Sequence, residues 1–277
     1  MFSIVIPVKN EESNLVSCLE KLKDFDDVAI VDSGSTDRTR DICAQYGRSV
    51  IDFRWDGKFP KKRNWVLRNV SLKHPWVLFL DADERMTEAF KSEIEKTLVS
   101  TPHNGFWITY DNWFLGRMLK HGDPMRKLAL LRIGHGEYEK IDEARWSKLD
   151  MEIHEHLVVE GSVGKLHARL EHHDQRPLEA YYARHNDYST WEARRYVALR
   201  QSDSNVDALG TSTCLTPRQR MKYRMMRWKL FPVFYFFASY VLKGGFMDGV
   251  AGFYFAIGKM FYFYQIQSKI AEYMKKK

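Results

Sequence analysis

The chain has 277 residues, a net charge of +7, 29% charged and 14% aromatic residues, a composition that excludes a disordered chain. The length admits one large domain or a domain with an appendage. Cys18, Cys43 and Cys214 show no metal-ligand spacing and make no disulfide framework, which fits a reducing compartment. Phe2–Val8 is a β-branched run, too short for a secretory signal core, and reads as a first strand. Asn10 is placed to cap a helix over Glu11–Lys23, where Leu15, Val16, Leu19 and Leu22 recur at helical spacing. Val28–Val31 is a second strand that stops at the polar turn Asp32–Asp37, and Thr39–Tyr46 reads as a helix. Ser49–Phe53 is a third strand and Lys61–Val70 a helix with a basic start. Trp76–Leu80 is a continuous apolar run, as expected of a strand buried on both faces.

Strands alternating with helices predict an α/β fold with a doubly wound, mostly parallel sheet. Ligands of such sheets lie at the strand C-termini. Pro7–Glu11, Asp32–Asp37 and Asp81–Asp83 all land on that edge. Asp81 and Asp83, two residues apart, can reach one hard cation directly or through water, and Mg²⁺ or Mn²⁺ accepts carboxylate oxygen. The competing reading makes Asp81 or Asp83 the cap of a helix over Glu88–Leu98. Asp32–Asp37 could likewise be a turn alone, and Lys61–Arg63 a solvated helix face. Carboxylates at three strand ends beside one basic cluster favour a site for a nucleotide diphosphate with a metal. No Gly-x-Gly-x-x-Gly and no Walker-type loop is present, which disfavours dinucleotide and P-loop readings.

Four stretches carry a resemblance: Ile4–Glu12, Val31–Asp37, Lys62–Asn64 and Leu80–Glu84. In order and spacing they resemble family 2 glycosyltransferases of the GT-A fold, and small bacterial members similar to lipopolysaccharide-core β-1,4-glucosyltransferases. The resemblance covers about residues 1–200. It implies that Pro7, Val8, Glu11 and Asp32 hold the nucleoside, and that Arg63 and Asn64 lie near the base and diphosphate. It implies that Asp81, followed by Ala82, meets the ribose or the water shell of the metal, and that Asp83 binds the metal, Mn²⁺ or Mg²⁺. It further implies inversion at the anomeric centre of a nucleotide sugar, with UDP as the favoured carrier.

Gly105–Trp113 reads as a strand with aromatic faces, and Lys127–Arg132 as another. Trp107 and Trp113 could stack on sugar rings or belong to the core. After His121-Gly122, related sequences continue Gly-Trp-Tyr-Pro, whereas here Asp123-Pro124-Met125-Arg126 follows, a departure that bears on the acceptor. Ile153-His154-Glu155-His156 lacks the helical zinc pattern His-Glu-x-x-His. Inverting transfer needs a carboxylate to take the proton of the attacking hydroxyl. Glu155, which matches the His-Glu of the family, is the candidate base, with Asp150 and Glu152 behind it. A structural pairing of Glu155 with His154, His156 or Arg145 is the competing reading. In related enzymes a histidine near Leu170–His173 completes the metal site, and His172 aligns with it. A helix over Leu178–Tyr196 follows.

Residues 201–214 read as a hinge after a catalytic domain over 1–200. Residues 215–277 carry 12 Lys/Arg against 2 Asp/Glu, so the basicity lies there and the preceding residues are net −3. Arg218–Lys229 holds six cations, and Phe231–Tyr264 holds 14 aromatic residues. Phe231–Leu242 and Val250–Ile266 are too short to span a bilayer, which needs about 20 residues. They are expected to lie in the interface, with the basic helix on anionic headgroups. Packing on the catalytic domain or an oligomer contact is the competing reading. Nucleic acid is not an expected partner, because no recognition motif accompanies the basic stretch.

The sequence thus predicts a metal-dependent inverting glycosyltransferase with a lipid-linked or lipopolysaccharide-core acceptor, peripheral at the cytoplasmic face of the bacterial inner membrane. A catalytically inactive nucleotide-sugar-binding adaptor is the alternative.

Overall fold

The computed structural model describes residues 2–141, 155–202 and 217–275. In chain order the elements are β1 (Ser3–Val8), α1 (Glu12–Glu20), β2 (Val28–Asp32), α2 (Thr39–Gln45), β3 (Val50–Asp52), α3 (Lys62–Asn69), β4 (Trp76–Phe79), β5 (Glu84–Arg85) and α4 (Glu88–Val99). Then come β6 (Gly105–Phe114), β7 (Arg117–Leu119), β8 (Met125–Arg132), β9 (Gly136–Tyr138), β10 (Leu157–Val159) and β11 (Val163–His172). The helices α5 (Leu178–Ser202), α6 (Pro217–Met225), α7 (Phe231–Phe237) and α8 (Gly249–Lys275) follow. A π-helical turn over Ala238–Leu242 and a 3-10 turn over Gly245–Asp248 lie between the last two.

The central sheet runs β3-β2-β1-β4-β8-β6-β11-β5. The β3-β2-β1-β4 half is parallel throughout, and β6 pairs parallel with β11. β8 enters antiparallel between β4 and β6, and β5 closes antiparallel on β11. The sheet is therefore mostly parallel, with β8 reversed at its middle and β5 reversed at its edge.

Alternation along the strands builds two cores. Ile4, Ile6 and Val8 of β1 face Leu15, Cys18 and Leu19 of α1, Ile42 and Cys43 of α2, and Phe90 and Ile94 of α4. Val5, Val31, Val77 and Phe79 face the other way, toward Val66 of α3, Tyr138 and Leu157. Helices on both faces explain why β4 is buried at every position. A cut such as Leu78→Ala, at a fully buried residue, would cost about 2–5 kcal/mol.

The chain divides into two compact units. The described part of the first is 2–113, 124–139 and 155–175; that of the second is 114–123, 140–141, 176–202 and 217–275. The expected boundary at 200 moves to about 175, because α5 joins the C-terminal helices. Ala193 and Tyr196 of α5 share a core with Tyr223, Met226, Phe231, Ile266 and Ile270. Of the expected hinge 201–214, residues 201 and 202 close α5 and the rest lies outside the described residues. Within the second unit, Asp248 accepts the backbone N–H of Lys120 (3.1 Å) and of His121 (2.9 Å) and pairs with His121 Nδ1 (3.0 Å). The His121-Gly122-Asp123 stretch is thereby held by the segment that precedes α8. Among the described residues no helix is long and apolar enough to cross a membrane.

Candidate active site

The ends of β1 and β2 lie in register, with Val8 opposite Asp32 and Pro7 opposite Val31. Gly34, at φ +81°, turns the chain after β2 where a side chain would strain the backbone. Asn10 does not cap α1. It takes φ +56°, and its Oδ1 accepts the Thr36 N–H at 2.8 Å. The first N–H groups of α1 are met instead from the second loop: Glu11 N–H donates to Thr39 Oγ1 (2.8 Å) and Glu12 N–H to Asp37 (3.0 Å). The two loops are sewn into one wall, with the carboxylate of Glu11 accepting from Asn14 at 2.9 Å.

Asp32 is fully buried. It accepts from the Ser35 hydroxyl (2.6 Å), the Ser35 N–H (3.0 Å) and Arg40 Nε (2.6 Å). Burial alone would raise its pKa, but these bonds outweigh it and hold the carboxylate below its ordinary range. Asp32, expected at the nucleoside, thus locks the turn after β2. Asn64, expected near the base and diphosphate, is likewise engaged within the fold. It is 1% exposed, donates to the Tyr138 carbonyl and accepts the Tyr138 N–H, both at 2.8 Å. Its amide holds β9 against α3.

The first turn of α3 carries three cations, each reaching a different segment. Lys61, just before the helix, pairs with Glu155 at 3.4 Å, their side chains 6% and 5% exposed. Lys62 Nζ donates to the Val8 carbonyl at 3.4 Å. Arg63 Nη2 donates to Asp81 at 2.9 Å. The basic cluster is thus not a solvated face. Glu155 is brought to this helix start; Asp150, Glu152, His154 and Arg145 lie outside the described residues.

Leu80 follows β4, its N–H on the Val5 carbonyl at 3.0 Å. Then Asp81, buried Ala82 and Asp83 lead into β5. Neither aspartate caps α4; Thr87 does, accepting the Phe90 N–H at 3.2 Å. Lys127 of β8 binds Asp81 and Glu84 together, at 2.5 Å each. Burial works against a charged Asp81, yet Lys127 and Arg63 hold its carboxyl well below the usual range. Glu84 goes the other way. Its enclosure, aided by the negative charge of Asp81 and Asp83, pushes it up to about 8 against the pull of Lys127.

Asp83 meets His172 because β5 pairs with β11, which sets His172 opposite Glu84. His172 Nε2 lies 3.6 Å from Asp83 Oδ2. The Asp83 carbonyl also accepts the His173 N–H at 2.8 Å. On its other side His172 stands opposite Asn112 of β6, and Nδ1–H donates to Asn112 Oδ1 at 2.8 Å. Burial lowers the His172 pKa and favours the neutral ring. His173 turns away and stacks on Trp113, centroids 5.1 Å apart. Trp107 is 39% exposed.

The sequence reading gave no role to Lys127 or Asn112, and it placed Lys61 in the basic cluster without Glu155 as its partner. Glu84 stood in a quoted motif without a role. Their signal is weak, since a single lysine or asparagine in a strand has no distinctive spacing; only the place of β8 and β6 in the sheet gives them partners.

Residues 3–151 match the family model described as glycosyl transferase family 2. The chain belongs to that family. The expected GT-A type of α/β architecture stands with it. Over 200 residues the glycosyltransferase is 29% identical to the lipopolysaccharide core biosynthesis glycosyltransferase LpsC of Rhizobium meliloti (strain 1021), covering 68% of each chain. A glycosyltransferase of Rickettsia felis is 26% identical over 259 residues, 91% of this chain and 82% of that one. Among solved structures, Staphylococcus aureus TarS residues 1–349 overlaps all of this chain and 92% of its own, at 15% identity and a TM-score of 0.42. Glucosyl-3-phosphoglycerate synthase of Mycobacterium tuberculosis, solved with Mn²⁺, UDP and glucosyl-3-phosphoglycerate, overlaps 41% of this chain and 44% of its own, at 23% identity and a TM-score of 0.32. Both overlaps are too loose to bear on fold or ligand.

Proposed function

We propose that this family 2 glycosyltransferase moves a sugar, with inversion, from a nucleotide sugar, a UDP-sugar foremost, to a lipid-linked or lipopolysaccharide-core acceptor. The observation that carries this reading is the approach of His172 to Asp83. With Nδ1–H given to Asn112, the Nε2 lone pair faces a carboxylate at 3.6 Å. Two electron-pair donors aimed at each other suit a divalent cation between or beside them. Among the described residues there is no cluster of three or more such ligands. Mg²⁺ and its like commonly take one or two protein ligands and complete their shell with water and substrate phosphates, so Asp83 with His172 fits Mn²⁺ or Mg²⁺. When bound, the cation would offset the charge on the departing nucleoside diphosphate.

The remaining roles belong to the chain itself. Pro7 and Glu11 wall the nucleoside, with the main chain of Val8 beside them. Arg63 lies by the diphosphate and keeps Asp81 ionised, so that Asp81 can meet the ribose or the cation's water. Lys127 holds Asp81 and Glu84 in place, leaving Asp83 directed at His172. Glu155 takes the proton of the acceptor hydroxyl. Its pairing with Lys61, at 3.4 Å, fixes where the carboxylate stands.

The acceptor class takes support from the name of the Rhizobium relative. Peripheral membrane attachment takes support from the second unit. Leu242 is 78% exposed, with Phe237 at 55% and Phe261 at 50%, and α6 with the residues after it carries exposed Arg220, Arg224, Arg227 and Lys229. Apolar side chains beside cations suit an anionic bilayer surface.

The test is thermal unfolding of the full chain with a panel of nucleotide sugars and Mn²⁺. A selective ligand stabilises the fold by mass action. A UDP-sugar should raise the midpoint by several degrees only when Mn²⁺ is present. No shift with any nucleotide sugar defeats the reading.

A further inference from the structure

From Gly249 to Ser268, α8 holds one charged residue, Lys259. At about 100° per residue it falls on the stripe of Gly252, Phe255, Tyr262 and Ile266. Gly252 and Ile266 are buried, and Tyr262 packs on the helical core of the second unit. Lys259 therefore stands on the inward face of its helix, half-buried, and not in the exposed row of Phe253, Tyr254, Phe261 and Tyr264.

A lysine there loses water without gaining a counterion. Burial lowers its pKa. Its ammonium lies 5.4 Å from the ring centroid of Phe255 and 5.9 Å from that of Tyr262. Among the described residues it makes no hydrogen bond and no ion pair. The carboxylate whose field reaches it, Asp123, is already engaged: Oδ2 accepts from the Tyr235 hydroxyl at 2.5 Å, and Oδ1 pairs with Lys243. Further rings pack on these two. Phe114 packs on Phe255 (5.4 Å) and Tyr181 (5.6 Å), and His185 lies against Tyr181 (3.9 Å) and Tyr262 (5.7 Å).

We propose that Lys259 and these rings bind an anionic saccharide, the ammonium taking its phosphate or carboxylate and the rings its sugar face. Small-molecule sites combine largely apolar and aromatic walls with a few placed polar groups. An uncompensated cation selects an anion, and a charge-assisted hydrogen bond is about twice as strong as a neutral one. The inward position favours a saccharide over a bilayer headgroup, which would meet the exposed row first. The site deepens the transferase reading and rests on it: an anionic acceptor glycan is the ligand.

The test is saturation-transfer NMR on the full chain, with glucose 6-phosphate as probe and glucose and inorganic phosphate as comparisons. UDP with Mn²⁺ is titrated on the same sample. Glucose 6-phosphate should bind about tenfold more tightly than either comparison. Lys259→Met should lose that tenfold, Lys259→Arg should keep most of it, and the UDP affinity should not move. Amine footprinting of the unmutated chain supplies a check that needs no variant: glucose 6-phosphate should protect Lys259. Equal binding by Lys259→Met, no protection of Lys259, or no binding of glucose 6-phosphate overturns the site. Inorganic phosphate binding as tightly as the sugar phosphate overturns it in favour of a bare anion site. Protection by phosphatidylglycerol vesicles alone overturns it in favour of a lipid headgroup. Loss of the transferase reading would appear separately, as a chain that does not bind UDP.

Discussion

Nε2 of His172 stands 3.6 Å from Oδ2 of Asp83, and Nδ1 of the same ring is tied to Asn112. The row Asn112, His172, Glu84 runs across β6, β11 and β5, so the sheet itself aims the imidazole. Asp83→Asn should abolish transfer. His172→Ala and Asn112→Ala should each weaken Mn²⁺ binding by about 10–100-fold, the second by freeing the ring to rotate. Calorimetric titration of Mn²⁺ into each variant with UDP present checks this. An Asn112→Ala protein with unchanged Mn²⁺ affinity removes the positioning role.

Glu155→Gln should bind UDP as before and lose about 10²–10⁴ in turnover, the range for a general base. Lys61→Met should lose turnover too, since it removes the ammonium that stands 3.4 Å from the Glu155 carboxylate and positions it. Comparison of UDP affinity with the single-turnover rate separates the two steps. Full activity in Glu155→Gln would shift the base to Asp150 or Glu152.

Asn64→Ala tests a support role against a ligand role. The change leaves the backbone N–H and carbonyl of Tyr138 buried without the partners they now have. Stability should fall by about 2 kcal/mol, while UDP affinity in the folded protein stays put. Denaturant unfolding and UDP titration read the two effects apart. A selective loss of UDP binding with normal stability would return Asn64 to the ligand.

Glu84 gives the metal-free protein a pH signature. Its pKa rises from an ordinary 4.5 to about 8 on folding. The folded state therefore binds more protons there than the unfolded chain between these values, and stability falls as pH rises through that window. Thermal midpoints in EDTA should drop between pH 5 and pH 8, and Glu84→Gln should flatten the slope. The same slope in both proteins would place the titration elsewhere.

The exposed apolar side chains of the second unit predict vesicle binding. Removing Arg218–Lys277 would strip α8 from the core it shares with α5, so surface substitution is the cleaner test. Phe237→Ser with Leu242→Ser should weaken partition onto anionic vesicles by about 2 kcal/mol, more than tenfold. Sedimentation with vesicles measures it, and unchanged partition would deny the surface a membrane role.

The sequence alone determined the alternation of strands and helices, the two-faced burial of β4, and the order of three polar loops along one sheet edge. Those features are local: period and turn chemistry are written in neighbouring residues, and the family likeness rests on them. Other matters waited on the tertiary structure. Asp32 and Asn64 carry the right chemistry in the right motifs, but the fold turns both inward and spends their polar atoms on Ser35, Arg40 and Tyr138. Glu155 finds Lys61, and Lys127 finds Asp81 and Glu84, through the placing of segments distant in the chain. His172 reaches Asp83 only because β11 lies between β6 and β5. Helix α5 follows the C-terminal helices because its apolar face matches theirs. Strand order and helix partnership are set by which distant surfaces bury each other best, and no run of neighbouring residues encodes that choice.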